Sequence, residues 1–320
     1  MRSSRLEYVD TGQESDPEQC EEGYLEDLRT TSEQVLQLED LNIDVQQGKQ
    51  RHTLVHDLSF SIRRGETLAL VGESGSGKSV TASAILGLLP NSLDLSGGKI
   101  LFQGEDILPW PDKRKRKLRG KQIGFVFQDY QGSFTPFIKV GKQLVETVHS
   151  HLPMSRSEEK SLAMDWLKQV GLPADRVFNS YPFQLSGGQR QRASLAAAMM
   201  LEPALLIADE PTTALDVLTG ELVLDLLAGL QKQTQCAVLI ISHDLRQVMK
   251  RGDTIAVMQK GQIVEIDSAK KISCEAKHPY TKMLLKARPL LLDIQAELAK
   301  DQQAIAEENV RISNSVEVSA

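Results

Sequence analysis

The 320-residue sequence has only three cysteines, Cys20, Cys236 and Cys274, far apart and with no CxxC pair. Disulfide frameworks and zinc sites need paired or closely spaced thiols, so neither organises this chain, and the cysteines are expected to be reduced. A basic excess is also missing: 37 Lys and Arg stand against 43 Asp and Glu, a formal net charge of -6. Nucleic-acid binders draw affinity from neutralising phosphates, so this balance argues against nucleic acid as the main partner. No apolar run approaches the roughly 18–20 residues needed to span a bilayer. The N-terminus lacks an apolar segment of signal-peptide type, and a cytoplasmic chain is expected. Hydrophobic residues make up 41%, ordinary for a globular protein. The length allows one large core or two modest domains.

Residues 1–35 are acidic and without strong periodicity. They are predicted to form a disordered, solvated tail, with a docking segment as the alternative. From Leu36 onward, Leu36, Leu38, Leu41, Ile43 and Val45 are mostly spaced by two, and Phe60 and Ile62 repeat the pattern. That spacing marks half-buried strands. Thr67-Leu68-Ala69-Leu70-Val71 is a short apolar run of the kind a buried parallel strand shows, and others lie at 123–127, 204–208 and 237–241. Helical patterns over 78–89, 189–201 and 218–231 separate them, which argues for an α/β core. Residues 130–200 interrupt the alternation with helical stretches over 140–150 and 157–170, predicting an inserted helical subdomain. The basic run Lys113-Arg114-Lys115-Arg116-Lys117 reads as a solvated loop. After 254–257 a short strand pair is expected around Gly261, and Leu290, Leu291, Ile294, Leu298 and Ile305 follow at rough helical spacing.

Gly72-Glu73-Ser74-Gly75-Ser76-Gly77-Lys78-Ser79 fits GxxxxGK[ST], with an apolar strand before it and a helical pattern after it. The glycines allow tight turns whose N–H groups can point at phosphate oxygens, and the helix start adds partial positive charge. Lys78 would neutralise the β- and γ-phosphates, and Ser79 would ligate Mg²⁺. A bare Gly/Ser turn is the bland alternative, which the strand and helix on either side disfavour. Downstream, Leu205-Leu206-Ile207-Ala208-Asp209-Glu210-Pro211 is an apolar strand ending in carboxylates. Asp209 would orient Mg²⁺ or its water shell, leaving Glu210 to face the γ-phosphate and polarise the attacking water. Gln128 and His243 also follow predicted strands. Gln128 could approach Mg²⁺, and His243 could hydrogen-bond the γ-phosphate while holding Glu210 in line. Alone, each would read as a surface glutamine and a structural histidine. Ser186-Gly187-Gly188 precedes a helical pattern and forms a second anion-binding helix start. One ATP does not need two such elements from one chain, which suggests that the second serves a neighbour's nucleotide.

In this order, these motifs resemble the ATP-binding-cassette (ABC) ATPases over residues 36 to about 288. The resemblance implies an α/β P-loop NTPase core: a mixed sheet with flanking helices, an antiparallel β subdomain and an inserted α-helical subdomain. Residues 36–268 would be the nucleotide-binding domain and 269–320 a C-terminal extension. ATP and Mg²⁺ would be the cofactors. Gly72, Glu73, Ser74, Gly75, Ser76, Gly77, Lys78, Ser79 and Val80 would bind ATP as the Walker A element. Ser186, Gly187, Gly188 and Gln189 of the signature, which begins at Leu185, would complete the site of a partner. Ser79, Gln128 and Asp209 would face Mg²⁺, and Glu210, His243 and Gln128 would be catalytic. Ala214-Leu215-Asp216 matches the D-loop. Two such cassettes would sandwich two ATP molecules head to tail.

Finer features are similar to the peptide/nickel importer subfamily. They are Gly65-Glu66-Thr67, Phe127-Gln128-Asp129 with Ser133 and Pro136, Tyr181-Pro182, the ADEPTTALDV stretch from Ala208, and His278-Pro279-Tyr280-Thr281. The subfamily implies an ATPase subunit driving uptake of di- or oligopeptides, nickel or a metal chelate. It would sit peripherally on the cytoplasmic face of the inner membrane. Its partners would be a second ATPase subunit, identical or paralogous, two transmembrane permease subunits and an extracytoplasmic substrate-binding protein, with no nucleic acid. A soluble cassette protein of translation or DNA repair is the alternative, and an exporter ATPase a third. The sequence has no second cassette, coiled-coil insert, zinc cysteines or basic arms. Tyr130 stands where a proline is common, Phe134-Thr135 replaces Leu-Asn, and the lone Cys274 argues against an iron–sulfur cluster. No aromatic residue lies between Tyr24 and Phe60 to stack on adenine, a role left to Arg51 or His52.

Overall fold

A computed structural model describes residues 34–47, 50–128, 132–213 and 215–286. Strands β1 (Gln34–Gln47), β2 (Gln50–Arg63), β4 (Leu93–Phe102) and β5 (Glu105–Asp106) form an antiparallel sheet in the order β2-β1-β4-β5. Strands β3 (Thr67–Val71), β6 (Ile123–Val126), β7 (Leu205–Asp209), β8 (Ala237–Ser242), β9 (Thr254–Gln259) and β10 (Gln262–Ser268) form a second sheet. Its order is β10-β9-β3-β8-β7-β6, parallel throughout except for β10, which runs against β9.

The short apolar runs are buried because both faces of the second sheet are covered. Every residue of β3, β7 and β8 is buried. Alternate side chains feed two separate cores. Ala69, Val71, Ala208, Val238 and Ile240 pack with the helical side, while Leu68, Leu70, Ile207, Leu239 and Ile241 pack against the antiparallel sheet.

Helix α1 (Lys78–Ile85) follows β3, and α2 (Asp112–Leu118) precedes β6. Between β6 and β7 lie α3 (Val140–His151), α4 (Arg156–Gln169), α5 (Ala174–Asn179) and α6 (Gly187–Met199), the expected helical insertion. Leu144, Val148, Trp166, Leu167 and Val177 form its seam. Then come α7 (Val217–Thr234), α8 (Leu245–Met249), α9 (Ala269–Glu275) and α10 (Pro279–Lys286).

Several expectations are revised. The basic run is helix α2, not a loop, and much of its charge is satisfied locally. Asp112 pairs with both Arg116 and Arg119 at 2.7 Å, while Arg114 pairs with Glu105 and stacks 3.4 Å from the Trp110 ring centroid. Helix α1 ends at Ile85, ahead of the predicted 89, because Gly87 turns the chain at φ 63°. Strand β1 includes Gln34 and the buried Val35, so it takes in residues ahead of Leu36. Cys236 is buried and Cys274 exposed, both as free thiols. Residues 1–33 with Cys20, Asp129 and Tyr130, Ala214, and the apolar series from Leu290 to Ile305 lie outside the described residues. No helix among the described residues is long and apolar enough to cross a membrane.

Candidate functional site

Open α/β sheets leave a crevice at the carboxyl ends of their parallel strands. Gly72 follows β3, Gln128 lies just beyond β6, Glu210 follows β7 and His243 follows β8. Register aligns these ends: Val71 pairs with Ser242, Asp209 with Ile241, and Val126 with Ala208.

The loop after β3 is shaped by backbone contacts. Ser76 N–H donates to the Glu73 carbonyl at 3.2 Å, and the Ser76 carbonyl accepts from Gly261 N–H at 3.0 Å. A Cβ at Gly72 would lie 2.1 Å from the Met258 carbonyl oxygen, so only glycine fits. Gly77 caps α1 at φ 107°, in the left-handed region that glycine enters without strain. No side chain caps this helix start, which leaves its first N–H groups for an anion. Gly72, Ser76 and Lys78 are buried, whereas Glu73, Ser74 and Gly75 form an exposed rim, and half-buried Val80 packs into the core beneath.

Lys78 curls back over the loop. Its Nζ donates to the carbonyls of Gly72 and Glu73 at 2.8 Å each, with Ser76 Oγ at 3.4 Å. Burial pulls its pKa down, and the nearby charges of Glu210, Asp209 and Glu73 oppose that shift. Ser79 Oγ donates to Asp209 Oδ1 at 3.1 Å. Burial pushes the Asp209 carboxyl up, the Ser79 hydrogen bond working against it. A carboxylate desolvated in this way is relieved by a cation, and an oxygen-only donor pair suits a hard divalent ion. Among the described residues, no group of three or more His, Cys, Asp or Glu could hold a metal.

Glu210 leaves β7 at φ 47° while its N–H still donates to the Ile241 carbonyl at 2.9 Å. Donors converge on its Oε2: Thr213 Oγ1 at 2.8 Å and Gln128 Nε2 at 3.1 Å, with His243 Nδ1 3.3 Å away. The Glu210 side chain is 13% exposed, so these contacts hold it in a largely desolvated place. The Gln128 amide thus meets Glu210, where the sequence reading aimed it at Mg²⁺. Thr213 was not singled out from sequence. A hydroxyl three residues past a strand-end acid is a turn partner, and that signal could have found it. Tyr280 was likewise not read as a site residue, yet its Oη accepts from Glu73 N–H at 2.9 Å. Of the residues expected to stack on adenine, Arg51 is committed to Asp44 and Asp94 at 3.2 Å each.

The signature stands at a different cleft, shared with Asp216, Thr219 and Leu222. Ser186 caps α6 through a reciprocal box: its Oγ accepts from Gln189 N–H at 3.3 Å, and Ser186 N–H donates to Gln189 Oε1 at 3.1 Å. A Cβ on Gly188 would lie 2.6 Å from Thr219 Cγ2, so α6 and α7 touch there. Deeper in α6, buried Gln191 donates to the Pro211 carbonyl at 2.7 Å.

The sequence profile of the ABC transporter family matches residues 55–213. The chain is 42% identical over 259 residues to the oligopeptide transport ATP-binding protein OppD of Bacillus subtilis (strain 168), covering 80% of this chain and 72% of that one. It is 40% identical over 241 residues to the metal-staphylopine import system ATP-binding protein CntD of Staphylococcus aureus (strain Mu50 / ATCC 700699), covering 75% of this chain and 89% of that one. Among solved structures it resembles the dimeric post-hydrolysis state of the ATP-binding cassette MJ0796 bound to ADP and Pi. That likeness has a TM-score of 0.66 and 28% identity, over 73% of this chain and 98% of the other. Since two relatives at this identity align over most of both chains, this chain belongs to the ABC transporter family of ATP-binding proteins.

Proposed function

We propose that this chain is the ATP-hydrolysing subunit of an importer for peptides or metal chelates. The observation that carries the reading is the convergence on Glu210 of Thr213, Gln128 and His243, beside Lys78 and the Ser79–Asp209 pair. Phosphoryl transfer needs positioning and charge stabilisation more than covalent help, and this cluster supplies both. The loop from Gly72 to Ser79 wraps the phosphates, and Lys78, held in place by the Gly72 carbonyl, turns its other N–H groups from the Glu73 carbonyl and Ser76 to phosphate oxygens. Ser79 and Asp209 would hold Mg²⁺, while the Gln128 amide holds Glu210. The ion adds charge neutralisation at the β- and γ-phosphates. Glu210 accepts a proton from the attacking water, and His243 keeps that carboxylate in line.

The signature at Ser186, Gly187, Gly188 and Gln189 serves the ATP of a second cassette, identical or paralogous. The cleft beside it is lined by none of Glu210, Thr213, Gln128 and His243, which supports this division. The likeness to OppD and CntD supports a cargo of peptides or metal chelates, and with it two permease subunits and an extracytoplasmic binding protein. The subunit sits peripherally on the cytoplasmic face of the membrane.

Glu210→Gln tests the reading. The variant is expected to bind ATP with near-native affinity, accumulate as a closed pair and lose hydrolysis by roughly a hundredfold or more. Native turnover by that variant, measured as phosphate release, would remove Glu210 from its role. Affinity capture of the tagged chain from membranes should recover a permease; recovery of ribosomes or DNA in its place would favour the soluble alternative.

A further inference from the structure

Within the described chain, residues beyond β10 return to the nucleotide crevice and touch both of its walls. Glu265 on β10 anchors the approach: its carboxylate accepts from Lys277 N–H at 2.7 Å and from His278 N–H at 3.1 Å. His278 Nδ1 accepts from Tyr280 N–H at 3.2 Å, which fixes the start of α10. Tyr280 is then 5% exposed, with Thr281 fully buried beside it. At the other end of α10, Arg246 of α8 donates to the Leu285 carbonyl through both Nε, at 3.0 Å, and Nη2. Helix α8 follows His243 directly.

The Tyr280 contact falls on a particular peptide group. Gly72 C=O and Glu73 N–H belong to one planar unit. Its carbonyl accepts from Lys78 Nζ at 2.8 Å, and its N–H donates to Tyr280 Oη at 2.9 Å. The plane is therefore clamped from both sides, and each bond polarises the unit in the sense that strengthens the other. Without the phenol oxygen the N–H loses its partner and the plane is free to tilt. The carbonyl that aims Lys78 tilts with it.

We propose that Tyr280 is a positioning residue for Lys78, acting through the peptide between Gly72 and Glu73, so that the C-terminal element is a working part of the ATP site. The inference rests on the reading of Lys78 as the phosphate contact. It goes beyond that reading by assigning a role to the His278-Pro279-Tyr280-Thr281 stretch, which no step of hydrolysis otherwise uses.

The test is a double-mutant cycle on the full chain, titrated with trinitrophenyl-ATP, with melting temperatures recorded in parallel. Tyr280→Phe, which removes one oxygen, is expected to weaken nucleotide binding about threefold to tenfold. In a Lys78→Ala background the same change should shift affinity by about twofold or less, because the residue it positions is gone. Glu265→Gln, which loosens the anchor without touching the loop, should give a smaller loss in the same direction and only with Lys78 present. Equal losses in both backgrounds, or none in either, would overturn the proposal. If Tyr280→Phe melts far below the native chain while Glu265→Gln binds nucleotide normally, Tyr280 is a packing residue and the proposal also falls. The failure of the underlying reading looks different: Lys78→Ala itself would bind with native affinity.

Discussion

At the residue scale, Glu210 is proposed as the base on account of the donors that surround it more than of its own chemistry. A solvated glutamate is a weak base with many rotamers, whereas this one is held by a hydroxyl, an amide and an imidazole. Thr213→Val keeps the shape and removes the shortest of those contacts. A hydrogen bond to a charged group in such a place is worth about 1.5–3 kcal/mol. The variant is expected to lose about tenfold in kcat with little change in ATP affinity. Steady-state ATPase assays that separate kcat from KM check this, and an effect confined to KM would place Thr213 outside the chemistry. Glu210, His243 and Lys78 were legible in the sequence because each sits at the end of an apolar run or in a fixed loop pattern. Thr213 and Tyr280 were not. Thr213 carries no pattern of its own, and Tyr280 meets Glu73 across 207 positions of sequence, a distance no local rule spans.

At the element scale, legibility followed burial. Strands β3, β7 and β8 are buried at every position, so the sequence there is a continuous apolar run with little else it could be. Strand β4 escaped notice because most of its residues are exposed and it contains Gly97 and Gly98. In the structure Gly98 takes φ 90°, and a Cβ there would meet the Asp40 and Glu39 carbonyls at 2.5 Å. Helix α2 was hidden by its density of positive charge, which is tolerable only because Asp112 and Glu105 lie within reach. Helix α4 begins with a reciprocal box, Ser155 Oγ accepting from Glu158 N–H at 3.3 Å and Glu158 accepting from Ser155 N–H at 2.8 Å. Ser155→Ala should destabilise the chain by about 1 kcal/mol at neutral pH. The Ser155 hydrogen bonds hold the Glu158 carboxyl below its ordinary value. Its contribution is therefore full above the ordinary carboxylate range and is lost as pH falls through the depressed value. Denaturation of the native chain and the variant across pH should show their gap narrowing on acidification. A gap independent of pH would mean that the Ser155 hydroxyl does nothing for the ionised form of Glu158, whose bond to the residue 155 N–H survives in the variant.

At the scale of the whole molecule, one sheet separates the side on which α1 packs with the antiparallel strands from the helical insertion that carries Ser186-Gly187-Gly188. The separation of the signature cleft from the Glu210 cluster predicts that a lesion in one will spare part of the other's work. Ser186→Arg replaces a cap at the start of α6 with a bulky cation. An isolated variant subunit should bind ATP with native affinity, since its own Lys78 and Ser79 are untouched. In the assembled transporter, hydrolysis should fall by at least about tenfold, because the partner's nucleotide meets the altered signature. Full ATPase activity in the assembly would refute a shared site at this signature.

Gln191 gives that division a mechanical sense. Its amide ties the middle of α6 to the carbonyl of Pro211, the residue next to Glu210, while Gly188 bears on Thr219 at the start of α7. Interiors packed this tightly transmit displacement and do not absorb it. In the proposed pair, the helix that would meet a neighbour's nucleotide is thus tied to the residue next to this chain's own proposed base. If two cassettes pair as proposed, closing on one ATP would trim the geometry around the other.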